Sequence, residues 1–157
     1  MCCTAVQQDL GMGAMDFVQA FTLPTLRNDE VYYCYPPKGF CLLCQARNIP
    51  FKEGQVLMLL AALYGLKNAS NYWNTLLTRY LVGPVGLKQC VNDPCLFVCH
   101  KRRLYVGVHT DDCLIVGPDD VRDKLYEQVS SKFPVKRLGF PKLWCGLQME
   151  RVGLSEF

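Results

Sequence analysis

No apolar run in this sequence is long enough to cross a bilayer. The longest, residues 56–66, is interrupted by Gly65 and falls short of the about 20 residues that a spanning helix takes, so it reads as core. Strong charge of one sign is also missing: a net charge of +3 permits contact with a polyanion but is not the balance of a dedicated nucleic-acid binder. The first ten residues, MCCTAVQQDL, lack a basic stretch followed by an apolar one and carry Asp9 early. That excludes a secretory signal there and makes an intracellular protein the expectation, with no membrane partner. No internal repeat or low-complexity segment interrupts the 157 residues, half of them apolar, which suit one domain with a sizeable core.

Cysteine is plentiful, yet its pattern is incomplete. Ten cysteines without a secretory signal read as reduced thiols rather than a disulfide framework. Cys41 and Cys44 have the spacing of half a zinc site, but Cys90 and Cys95 have four residues between them instead of two. Cys95 and Cys99 fall on a strand-like segment, where side chains four residues apart share a face about 13 Å from one another, too far to hold one ion. A cysteine-based zinc module is therefore the weakest reading.

The stretch LYVGVHTDDCLIVG, residues 104–117, organises the rest. Two apolar runs of strand length flank Asp111 and Asp112, so a tight hairpin is expected to present both acids at its tip. Aspartate is also favoured in turns for local hydrogen-bonding reasons, so this pair needs partners elsewhere to mean more. The best candidate is Asp16, the one acid in the apolar run of residues 10–23, where burial is costly unless the carboxylate is paired or binds a cation. A helix N-cap or a solvated turn is the alternative.

Between these acids, residues 24–55 are punctuated by prolines and glycines and read as loops and short strands. In it VYYCY suits an edge strand. Residues 69–82 form a helix whose apolar face carries Tyr72, Trp73, Leu76, Leu77, Tyr80 and Leu81, ended by Gly83 and Pro84. A strand over CLFVCH follows, then Lys101–Arg103, a cationic turn that is either solvated or faces phosphates. After the hairpin, Val121, Leu125, Val129 and Phe133 recur at four-residue intervals in a second helix, with Asp119 or Asp120 as N-cap and Lys132 suiting its C-terminal dipole. The tail, PVKRLGFPKLWCGLQMERV, reads as short strands. An α+β fold follows, an antiparallel sheet packed on two helices in a split βαβ, ferredoxin-like order that brings Asp16 towards Asp111 and Asp112.

Six segments in this order, MDFVQAF (15–21), DEVYYCYPPKGF (29–40), ALYGLKNASNYW (62–73), NDPCLFV (92–98), VHTDDCLIVG (108–117) and LGFPKLWCG (138–146), resemble the reverse transcriptase domain of copia-type (pseudoviral) LTR retrotransposons. The resemblance implies a right-hand polymerase palm over about 10–23 and 69–150, with a fingers-like insertion over about 24–68. It implies RNA-directed DNA polymerase activity, with Asp16, Asp111 and Asp112 as both catalytic residues and ligands of two Mg2+, or Mn2+. Hard cations prefer such oxygen donors, and nucleotidyl transfer needs an activated primer oxygen and a neutralised triphosphate. Phe21 matches the aromatic gate under the sugar, with an ordinary core aromatic as the alternative. Gly65 and Lys67 fall in the segment shaping the nucleotide and template pocket, and Leu138 and Gly139 where the primer end is placed. The implied partners are an RNA or DNA template with its primer, deoxynucleoside triphosphates, and the integrase and ribonuclease H domains of a polyprotein.

The sequence also departs from the family. His109 and Thr110 precede the acids in place of Tyr-Val, removing a phenol beside the primer. Lys67-Asn68-Ala69-Ser70-Asn71 replaces Lys-Gln-Ala-Pro-Arg, losing a cation and a rigid proline. Most of the upstream fingers are expected to be missing, which makes a partial polymerase, inactive or weak alone, the leading expectation. A non-catalytic nucleic-acid-binding or interaction remnant is the second.

Overall fold

A computed structural model describes residues 1–27 and 29–150. The chain divides into two compact units, one running over Met1–Ala20 and resuming at Asn74, the other being Phe21–Trp73.

The first unit is built on alternation. In β6, Leu104–His109, the residues Leu104, Val106 and Val108 are buried while those between them are less so, the period of two that a strand imposes. A two-residue turn leads into β7, Asp112–Gly117, and β1, Gly11–Phe17, lies antiparallel on its other side. With β4 (Lys88–Gln89), β5 (Leu96–Cys99) and β8 (Val135–Gly139) these make a six-stranded antiparallel sheet in the order β4-β5-β6-β7-β1-β8. The sequence therefore places the acid-bearing strands β1 and β7 side by side.

Helix α4, Asp119–Ser130, closes one face. Its Leu125 and Val129 are fully buried, each worth about 1.5–3 kcal/mol relative to exposure. Phe133, just past its end, meets the edge of Phe17 on β1 at 5.8 Å and of Tyr80 at 5.1 Å. Tyr80 belongs to α3, Ala69–Val82, and its hydroxyl donates to the Gln128 carbonyl at 2.6 Å. So Phe17, and with it Gly11, Gly13 and Met15, point towards α4, and by alternation Met12, Ala14 and Asp16 point away. On that opposite face α1, Cys2–Gln7, and Leu10 cover Met12 and Val116 through a small cluster with Ala5. Six residues are too few for helical periodicity to register, so α1 escapes a sequence reading.

Two details of α4 differ from expectation. Pro118, in an extended conformation, takes the N-cap, and Asp119 and Asp120 stand in the first turn, where the helix dipole still favours them. The helix ends at Ser130, leaving Lys132 beyond its last turn.

The second unit has little regular structure. β2, Tyr33–Cys34, pairs with β3, Leu57–Met58, and Ala62, Ala69 and Tyr72 form a small core with Phe21, Leu26 and Leu66 partly buried beside it. The expectation of only loops and short strands over residues 24–55 is corrected by α2, Phe40–Ala46, entered through Gly39 at φ 84° and anchored by an edge contact of Phe40 with Phe51 at 5.0 Å. The expectation that residues 56–66 are core is also corrected: Val56, Met58, Leu60 and Leu63 are exposed and Ala62 is buried. The partner strand, β2, is two residues long, so it pairs with a backbone edge and covers neither face. The tail forms a hairpin of β9, Leu143–Trp144, and β10, Leu147–Gln148. Its last two predicted positions, Arg151 and Val152, lie outside the described residues.

The ten cysteines are free thiols. Among the described residues no helix is long and apolar enough to cross a membrane.

Candidate active site

Register on four neighbouring strands places a row of charged and aromatic side chains on the sheet face away from α4. Asp16 on β1 is paired with Asp112 on β7, Asp112 with His109 on β6, and Asp16 with Lys136 on β8. Directly paired residues point to the same side of a sheet, so Lys136, Asp16, Asp112 and His109 share one face. The Phe17 N–H donates to the Asp111 carbonyl at 2.9 Å. By the alternation of an antiparallel ladder, the adjacent Asp16 and Asp112 then occupy the closer, non-hydrogen-bonded kind of pair, with Cα atoms about 4.5 Å apart.

The turn consists of Thr110, at φ 57°, and Asp111, whereas Asp112 is the first residue of β7. The two acids thus do not share the hairpin tip, as the sequence had suggested. Because successive strand residues face opposite ways, the offset lets Asp112 join the row while Asp111 stays in the turn.

Charge is concentrated at this edge. Burial, reinforced by the Asp111 and Asp16 carboxylates, pushes the Asp112 carboxyl above the usual carboxylate range, and His109 works against the rise. Asp16 keeps a third of its side chain exposed and has Lys136 Nζ at 3.9 Å from Oδ2. His109 is exposed, and its ring meets that of Trp144 nearly edge-on at 6.3 Å. Beside Asp112 lies a cleft of about 240 Å3, lined by Ala14, Leu138, Phe140, Lys142 and Trp144 among others.

The oxygen donors of Asp16, Asp111 and Asp112 suit a hard divalent cation; the rise of the Asp112 carboxyl comes first from burial, with the neighbouring Asp111 and Asp16 carboxylates adding to it. Among the described residues, however, no group of three or more His, Cys, Asp or Glu side chains is gathered closely enough to hold a metal ion. The donor chemistry fits, while Asp16 is drawn towards Lys136.

The other residues singled out from the sequence fall in two places. Leu138 is exposed and lines the cleft, and Gly139, at φ 66°, pairs with Ala14 at the end of β8. Phe21, Gly65 and Lys67 belong to the second unit: Phe21 packs beside its small core, edge-on to Tyr64 at 5.2 Å, Gly65 adopts φ 93°, and Lys67 is exposed. Two members of the site escaped the sequence reading. Lys136 was legible only as one of a basic pair, since strand alternation is what sends it to the acid face and Arg137 to α4, where it pairs with Asp123. Trp144 lies within LGFPKLWCG, where a lone tryptophan carries no signal that separates a site residue from core.

A family model described as reverse transcriptase (RNA-dependent DNA polymerase) matches residues 1–153. The chain belongs to this family. The resemblance read from the six motifs therefore holds. Curated relatives include the retrovirus-related Pol polyproteins from transposons RE2 and RE1 of Arabidopsis thaliana, 34% and 32% identical, and from transposon TNT 1-94 of Nicotiana tabacum, 28% identical. Each alignment covers 94% of this reverse transcriptase chain and 10 or 11% of the relative. The chain thus spans about a tenth of the length of the curated relatives it matches. No solved structure matches.

Proposed function

We propose that this reverse transcriptase segment supplies the palm of an RNA-directed DNA polymerase, the first unit being the palm and the second part of the fingers. The observation that carries the reading is the cross-strand pairing of Asp16 with Asp112, next to Asp111. Three acids from two distant stretches of sequence then stand at one end of the neighbouring strands β1 and β7, beside an open cleft.

In this reading Asp16, Asp111 and Asp112 hold two Mg2+, or Mn2+. When bound, such ions lower the pKa of the primer 3′ hydroxyl and neutralise the departing diphosphate. The remaining roles fall to the chain itself. Leu138, Gly139 and Trp144 border the place of the primer end, and His109, held edge-on to Trp144, takes the position beside the acids. Phe21, Gly65 and Lys67 act on the incoming nucleotide and the template. The partners are an RNA or DNA template with primer, deoxynucleoside triphosphates, and the other domains of a polyprotein. The family match and the Pol polyprotein relatives support this reading over a non-catalytic remnant.

Primer extension on poly-rA with oligo-dT, in magnesium and in manganese, tests it. The chain alone is expected to give weak or no synthesis, because it spans about a tenth of the length of the Pol polyproteins it matches. Placed in the frame of a matching Pol polyprotein, in exchange for the aligned segment, it is expected to give synthesis that Asp111→Asn or Asp112→Asn abolishes. Synthesis that survives both substitutions would overturn the assignment of the acids.

A further inference from the structure

We propose that Arg122, outside the acid row and on the opposite face of the sheet, is a positioning residue that fixes the register in which Asp16 meets Asp112. The inference rests on the metal-binding reading above only for its consequence, not for its geometry.

Met15 and Phe17, each 2% exposed, specify the register of the second half of β1, whereas its first half carries little such information. It opens Gly11-Met12-Gly13-Ala14, and strands rich in glycine and small residues are prone to slip, because few side chains penalise the wrong pairing. A slip of one residue moves every side chain of β1 to the other face, which would turn Asp16 towards α4 and away from Asp112. At the start of the strand Met12 packs on the α1 side, but Gly11 and Gly13 offer no side chain on the α4 face, so a polar contact there adds the missing half of the specification.

Arg122 does this from α4. Its Nη1 donates to the Met12 carbonyl on β1 at 3.2 Å, and its Nε donates to the Gly117 carbonyl at the end of β7 at 3.1 Å. One planar guanidinium thus grips both strands at once, at the end of the ladder opposite the acids. The Met12 carbonyl is available because β8 ends its pairing with β1 at Ala14. The third nitrogen, Nη2, is held by Asp119, one helical turn before Arg122. The side chain is largely buried, at 15% exposure, whereas Asp119 is at 85%.

The glycines that weaken the register also admit the clamp. A Cβ on Gly13 would lie 2.9 Å from Nη1, and one on Gly11 would lie 2.5 Å from Nη2. The guanidinium therefore rests directly on the β1 backbone, where an ordinary side chain would exclude it. Lysine cannot replace it, since an ammonium lacks the planar fork that reaches two carbonyls and a carboxylate together.

The test reads register directly. Ala14 and Leu114 are directly paired across β1 and β7, at a closer, non-hydrogen-bonded position by the same alternation. The double substitution Ala14→Cys, Leu114→Cys in the full chain gives a cross-link on mild oxidation, identified by mass spectrometry among the native thiols. Arg122→Ala and Arg122→Lys in this background are each expected to lower its yield at least about fivefold. Asp119→Asn, which leaves both carbonyl bonds, is expected to leave it within a factor of about two. If Arg122→Ala does not fold, Arg122→Lys, which keeps the aliphatic stem and the charge, decides the matter. Unchanged yield in Arg122→Lys overturns the proposal.

Mn2+ binding, followed by electron paramagnetic resonance, separates this from the functional reading. Binding that weakens in Arg122→Lys and returns when the cross-link is formed shows Arg122 acting through register, whereas loss that persists in the cross-linked protein overturns that role. Absence of Mn2+ binding in the parent chain counts against the metal reading alone, and the cross-link yield still judges Arg122.

Discussion

The two units of this chain solve the burial problem to different degrees. The sheet unit hides Phe97, Leu104, Val106, Leu114 and Val116 almost completely, whereas Phe21–Trp73 leaves Tyr35, Leu42 and Leu60 at 86, 70 and 77% exposure. The reason lies in strand length. Five neighbouring strands of four to seven residues, β5, β6, β7, β1 and β8, present continuous apolar faces, one covered by α4 and the other in part by α1 and Leu10, while two-residue strands and a seven-residue helix present none. Stability is thus concentrated in the sheet unit. Within it the acid row is the exception, a place where charge is packed at a cost.

Cutting one side chain from each unit is expected to show the largest difference between them. Phe97 is 1% exposed, on β5 between β4 and β6, and Phe97→Ala is expected to cost about 3–5 kcal/mol, lost transfer energy plus the cavity left behind. Leu60→Ala, at a residue that is 77% exposed, is expected to stay within about 0.5 kcal/mol. Urea unfolding followed by circular dichroism measures both. A Leu60→Ala loss above about 2 kcal/mol would mean that the second unit has a core hidden from this comparison.

A smaller effect probes the exception. The Asp112 carboxyl titrates above its ordinary value of 3.8 because burial and then the Asp111 and Asp16 carboxylates disfavour its charge. A carboxyl whose folded pKa is raised contributes stability below its unfolded pKa and loses it as pH rises through the folded value. At neutral pH the ionised group therefore costs stability, so Asp112→Asn is expected to melt higher than the parent at pH 7. The advantage is expected to shrink as pH falls and to vanish below about 3.8. Thermal melts at several pH values check this. A variant less stable than the parent at pH 7 would show that Asp112 makes a favourable contact which outweighs its repulsions.

How much of this was legible beforehand depended on the range over which each signal acts. Helix α3 shows in the sequence at residues 69–82 because its apolar face repeats over four turns, and the β6–β7 hairpin because two strand-length runs flank a turn. The pairing of Asp16 with Asp112 was expected only through the order of elements, since no local pattern links residues almost a hundred positions apart. Short elements such as α1 and α2 carry too few residues for a period to register. The run 56–66 misled for another reason: apolar composition says that a segment would gain from burial, not that a partner is there to bury it. Lys136 and Arg122 were hidden because each acts through the strand or helix face it occupies, which a sequence does not display until register is known.

The last and smallest expected effect concerns Lys136, and it decides what holds the acid row together. Its Nζ stands 3.9 Å from Asp16, with the lysine side chain 66% exposed, so the pair is screened by water and contributes at most about 1 kcal/mol. Lys136→Gln is accordingly expected to change stability by less than that. The same lysine, however, places a positive charge where a divalent cation would draw on Asp16. Removing it frees the carboxylate, and Mn2+ affinity is expected to rise by a factor of about 2–5, the equivalent of roughly 0.4–1 kcal/mol. The gain is expected to fall with added salt, which screens the lysine in the parent chain. Isothermal titration at low and high ionic strength measures it. An affinity that falls in Lys136→Gln would assign the lysine to orienting Asp16 for the metal rather than competing with it, and would move Lys136 from rival to member of the site.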